Sequence, residues 1–197
     1  MKDKILLDWE QFLNPDVLRQ NLILASIYIA YYEILIDSIV ERPKEFFATQ
    51  WTKDGPKISE KYKREILIRN KSPLYASLSW LKEMGIIDIP DMERFERIKY
   101  CRNKLAHELK DLITKGIKLR YLEAFRDLID LLNKVEVWWI VNVEIPTNED
   151  FSGKEIGEPH IVPGPVLMLQ VILDVALGDE ERSKYYYQEF TKLIRNI

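Results

Sequence analysis

Apolar residues recur at helical spacing along most of this chain. From Leu22 to Ile36 the run LILASIYIAYYEILI is apolar on nearly every side, which predicts a helix buried almost all round at the centre of a bundle. Asn14-Pro15-Asp16 is its start signal and Arg42-Pro43 its stop. Residues 45–56 read as a connector, with a short helical turn around Phe46 and Phe47. Helices follow over about 58–69 and from Ser72-Pro73 to Gly85. Pro90-Asp91 opens another helix, which Gly116 ends. Leu119, Leu122, Phe125, Leu128, Ile129 and Leu132 give the helix over 117–141 a core face.

Beyond residue 141 the pattern changes. Val141, Val143 and Ile145 alternate with polar residues, and Gly153, Gly157, Pro159 and Pro163 follow, which predicts a long loop with a strand or hairpin. Helical spacing returns over 166–177 and 180–197, where Tyr185 to Tyr187 form an aromatic belt. The expected fold is all-α: one domain over 1–197, with core helices over about 16–141, a loop over 142–165 and C-terminal helices over 166–197.

Composition narrows the function classes. A chain of 197 residues that is 47% hydrophobic can bury one substantial core. The formal net charge of −3 excludes a general nucleic-acid coat protein, so any RNA contact has to be local. The single cysteine, Cys101, rules out an internal disulfide and suits a reducing cytoplasm; its place on an apolar face makes it a small core residue. Two distant histidines, His107 and His160, and one cysteine do not make a usual zinc site, and no cofactor is expected. The apolar run from Leu22 is shorter than the roughly 20 residues of a membrane span. Asp3, Asp8, Glu10 and Asp16 precede it where an export signal is basic, so a cytoplasmic chain without a membrane partner is expected.

The chemistry concentrates in RNKLAH, Arg102 to His107. Metal-free cleavage of an RNA phosphodiester needs a group that moves protons near neutral pH, which histidine does. It also needs a cation for the charge growing on the phosphate, which an arginine fork supplies, and an amide that orients either one. Asn103 and His107 stand at i and i+4 and share a helix face, whereas Arg102 and His107 lie roughly 140° apart. One copy is an awkward clamp. Two copies about a twofold axis would line a cleft with two arginines and two histidines.

Arginine, a polar residue, three further residues and a histidine resembles the signature of HEPN (higher eukaryotes and prokaryotes nucleotide-binding) domains. The resemblance implies an all-α bundle that dimerises about the motif helix. It also implies a metal-independent endoribonuclease, often in toxin-antitoxin, abortive-infection or CRISPR-associated defence systems, with Arg102, Asn103 and His107 as site residues. It covers about six residues closely and the helices over about 19–141 in outline. In the subgroup paired with a nucleotidyltransferase antitoxin a tyrosine stands two residues after the histidine, where this chain has Leu109. The tripeptide alone carries nothing, since Arg69-Asn70-Lys71 repeats it with Leu74 at the histidine position.

Two stripes flank the motif. Ser26, Ala30, Glu33 and Asp37 run along one side of the first long helix and either face water or hold Arg102, with Glu33 the preferred partner because an arginine beside Ile98, Cys101 and Leu105 needs a countercharge. On the motif helix Lys99, Asn103, His107 and Lys110 share a face, and Lys99, Lys104 and Lys110 are the candidate RNA-binding cations. His160 is a further loop histidine, most simply exposed. The alternatives are a non-catalytic HEPN module that binds nucleotide, RNA or a partner protein, and an unrelated helical interaction protein.

Overall fold

The first long helix, α1 (Pro15–Phe46), is the axis on which the rest is built. Asn14 caps it, its side-chain oxygen accepting the Asp16 and Val17 amides at 3.1 and 3.4 Å. The computed structural model describes residues 6, 9, 10, 12–53, 55–107, 119–151, 157 and 161–195. After α1 come a two-residue antiparallel ladder of Trp51–Thr52 with Gly55–Pro56, then α2 (Glu60–Glu65), a 3-10 turn (Leu67–Arg69) and α3 (Pro73–Glu83). The motif helix is α4 (Ile89–His107), followed by α5 (Leu119–Trp139), α6 (Gly164–Leu177) and α7 (Glu180–Arg195). The fold is all-α, as the periodicity predicts.

α1 lies against α3, α4 and α5, and its Tyr31, Leu35 and Ile39 are buried with Leu78, Phe95, Ile98, Leu128 and Leu132. Each such side chain contributes roughly 1.5–3 kcal/mol of burial. The opposite side is not covered: Leu22, Ser26, Ala30, Glu33 and Asp37 are all exposed, so α1 is buried on one face and not all round. The helix is also longer than its apolar run. Over 32 residues it contains an 18-residue window of mean hydropathy 1.7, long and apolar enough to cross a membrane, although 44% of that window is buried inside the protein. The expectation that the segment is too short to span therefore fails on length.

The helix expected over about 58–69 divides into α2 and the separate 3-10 turn, and two further boundaries differ from the sequence pattern. Pro43 does not end α1, because so near the C-terminus it forfeits only the bond to the Ile39 carbonyl; the ring is buried and its own carbonyl accepts the Phe47 amide at 3.2 Å. Residues 140–147 are neither loop nor strand: a π-helical turn (Ile140–Glu144) and one further turn (Ile145–Thr147) prolong α5. Val143 packs on the core, and Arg42 from α1 holds Glu144 at 2.5 Å, so tertiary contacts fix a helical form that alternation alone does not distinguish from a strand. A short 3-10 turn, Glu149–Phe151, follows.

α6 is anchored on α1 by Leu169, 2% exposed, and by the Tyr31 hydroxyl, which donates to the Pro165 carbonyl at 3.2 Å. α7 folds back on α6 through Gly178, where a Cβ would run into the Asp174 carbonyl and the Arg182 side chain. No residue of α7 is buried.

Candidate functional site

The motif helix is fixed at its start by reciprocal capping. The Asp88 carboxylate accepts the Asp91 amide at 2.8 Å, and the Asp91 carboxylate accepts the Asp88 amide at 3.1 Å. Asp91 is 1% exposed and also holds Arg94 at 3.3 Å and Lys134 of α5. Phe95, Ile98, Cys101 and Leu105 then form one continuous buried edge. That edge sets the register of everything on the other side of α4.

Arg102 falls where this edge meets α1. Its Nη2 donates to Glu33 Oε1 at 2.8 Å, and its guanidinium lies 5.4 Å from the centre of the Tyr32 ring. The Arg102 side chain is 34% exposed and that of Glu33 53%, so the pair sits at the rim of the core. Its Nε is buried without a hydrogen-bond partner. The two alternatives for the stripe are thus not exclusive: it faces water, and Glu33 also holds the arginine. Asp37 takes no part. It is exposed, has no ion pair among the described residues, and its carboxyl is pushed up by burial and by the nearby Glu41 and Glu33 charges.

One turn before Arg102, Lys99 donates to the Tyr75 hydroxyl at 2.8 Å, with its ammonium 4.6 Å from that ring's centre. Tyr75 in turn donates to Glu96 at 2.7 Å. The Tyr75 hydrogen bond raises the Lys99 pKa, and burial only partly opposes it. Tyr32 lies between the two cations; burial raises its hydroxyl pKa, against the pull of Lys99 and Arg102. Lys99 is therefore half-buried against α3 instead of standing beside Asn103 on an open face.

Asn103 and His107 are both exposed, one turn apart. Lys104 is half-buried, its ammonium 5.9 Å from the Tyr100 ring centre. Beyond Tyr100, a recess of about 420 Å³ between α4 and α5 is lined by Arg97, Cys101, Arg120 and Asp127. The Cys101 thiol is buried and its pKa is raised by that burial, which fits a core residue and not a nucleophile. Lys110, Glu108, Leu109 and His160 lie outside the described residues.

Within one chain, Arg102 turns to α1 and His107 to solvent, so the structure gathers Glu33, Arg102 and Lys99 but does not bring the arginine and histidine into one clamp. It adds Tyr32 and Tyr75, which sequence reasoning missed. Tyr32 is signalled only by its adjacency to Glu33; Tyr75 arrives from α3, 24 residues from the lysine it holds, and no local pattern marks it. No known family profile, curated protein or solved structure matches this chain.

Proposed function

We propose that this chain is a HEPN-type, metal-independent endoribonuclease that acts as a toxin or defence effector in the cytoplasm. The observation that carries the reading is the pairing of an exposed Asn103–His107 face with an arginine held half-exposed by Glu33 on the same helix. In the reaction the RNA 2′-oxygen attacks the adjacent phosphorus and loses its proton. The bond to the 5′-oxygen breaks, that oxygen takes up a proton, and the products are a 2′,3′-cyclic phosphate and a 5′-hydroxyl end. His107 handles one of these protons, Arg102 binds the phosphate oxygens and Asn103 orients one of the two.

Since Arg102 and His107 diverge in one copy, the reading includes a homodimer in which two motif helices flank the axis and pool their residues. The net charge of −3 keeps RNA attraction local, to Lys104 and Lys110, with Lys99 reserved to its bond with Tyr75. An antitoxin or defence-system protein that covers this face is the partner expected in the cell.

The deciding experiment is cleavage of a single-stranded RNA by the purified chain in excess chelator. Activity is expected to survive chelation and to fall about 10²- to 10⁴-fold in His107→Ala, with stability unchanged because the side chain is exposed. Full activity in that variant, or strict dependence on added magnesium, overturns the assignment. The divergence of Arg102 from His107 also favours a second reading, a non-catalytic HEPN module, which RNA binding without cleavage would select.

A further inference from the structure

The C-terminal hairpin leaves nine large apolar side chains exposed, and its charges say what covers them. α6 is apolar all round apart from Gln170 and Asp174, yet only Leu169 is buried, while Leu167, Met168, Val175 and Leu177 are exposed. A helix of that kind belongs in an interior. α7 is amphipathic: Tyr186, Tyr187, Phe190, Leu193 and Ile194 form one stripe at helical spacing. α6 partly covers only the Ser183 and Tyr186 portion of it, where the Tyr186 hydroxyl donates to Asp174 at 2.9 Å. Tyr187, Phe190, Leu193 and Ile194 remain 75%, 61%, 63% and 53% exposed.

We infer that the occupant is a second copy of this chain, with the two α7 helices antiparallel about a twofold axis near Tyr185 and Tyr186. Arg182 and Glu189 are one heptad apart, so they lie on the same edge of the apolar stripe with opposite charges. An antiparallel copy in this register sets each Arg182 opposite the partner's Glu189, twice over. The same register carries the basic last turn, Lys192 and Arg195, to the acidic start of the partner's helix, residues 179–181. It also brings Leu193 and Ile194 to the level of the partner helix's start, beside which Leu177 is exposed. Glu189 holds Lys192 at 2.7 Å within its own chain and keeps its second oxygen for this contact, whereas Arg182 makes no ion pair among the described residues. A parallel copy would oppose arginine to arginine. Self-complementarity of this kind is what an isologous interface requires.

The interface is on the opposite end of the sequence from the RNKLAH face and does not rest on the ribonuclease reading. Sedimentation equilibrium of the full chain at micromolar concentrations tests it. The expected mass is an even number of chains, halved in Phe190→Glu and in Leu193→Glu, both of which keep the wild-type circular dichroism because the side chains are exposed in the single chain, while the melting temperature falls only by the stabilisation that association supplied. Arg182→Glu and Glu189→Arg are each expected to weaken association at least about tenfold. Mixing those two variants restores it, since a mixed pair recovers both opposite-charge contacts. A monomeric wild-type chain, a mass indifferent to Phe190→Glu and Leu193→Glu, or a mixture no tighter than either variant alone overturns the proposal. So does a monomer that binds anionic lipid vesicles through α7, which would give the stripe to a membrane surface.

Discussion

Among the described residues arginine–glutamate bridges tie α1 to its neighbours at two places, around Arg42 and at Glu33, and the two are built differently. Arg42 meets Glu136 of α5 at 2.6 Å; Glu136 is 1% exposed, also accepts the Ser38 hydroxyl at 2.5 Å, and shares Arg42 with Glu144. Arg102 meets Glu33 through one bond at the rim, both partners substantially exposed. In the first bridge a carboxylate is withdrawn from water and accepts from both Ser38 and Arg42. In the second, solvent reaches both groups, so the arginine keeps the capacity to change partners. Burial makes the one a structural clamp, and the other stays open to solvent.

The largest effect follows at the buried bridge. Arg42→Ala leaves the Glu136 carboxylate buried with only Ser38 to solvate it, and should cost about 3 kcal/mol. Urea unfolding at constant slope measures this; a loss below about 1 kcal/mol would show that the two bridges are alike. At the rim, Glu33→Gln should cost no more than about 1 kcal/mol, because an exposed pair is worth that at most. The larger cost that partial burial of Glu33 would have implied does not apply to a side chain 53% exposed. Its effect should instead appear in RNA cleavage, about tenfold lower as Arg102 loses its position. Equal losses of stability and cleavage would reduce Glu33 to a stabilising residue.

The smallest effect separates Glu33 from Asp37, one turn further along. The Asp37 pKa is raised, by burial first and then by Glu41 and Glu33, so its neutral form is the one favoured by folding. Its contribution is full below the ordinary aspartate range and is lost as pH rises through the raised value, leaving a small net cost at neutral pH. Asp37→Asn should therefore stabilise the chain by a few tenths of a kcal/mol at pH 7, solvent screening included, and by nothing at pH 3. Thermal melts at the two pH values check the sign.

Several features were legible because they are local. Asn14 and Ser72 stand at the N-cap positions of α1 and α3, and the apolar edge of α4 is where the 3.6-residue period puts it. That edge places Arg102 at the rim beside α1, and Glu33 was identifiable as its partner because each charge needed the other. Pro43 and the alternation of Val141, Val143 and Ile145 misled for the complementary reason. A proline near a helix end costs one hydrogen bond, and a three-residue alternation fits either period, so contacts from Arg42 and the core decided both segments.

The sequence by itself determined that this chain is helical, where most of the helices begin, and that an arginine, an amide and an imidazole share one of them, since these follow from the chain's own spacing and short-range hydrogen bonding. Only the tertiary structure decided that α1 leaves one side to water, that Lys99 is held by Tyr75, that Glu136 is the buried carboxylate, and that the α6–α7 hairpin keeps its apolar stripe uncovered. Each of these depends on which surfaces meet across dozens of residues, and burial is a property of both surfaces at once.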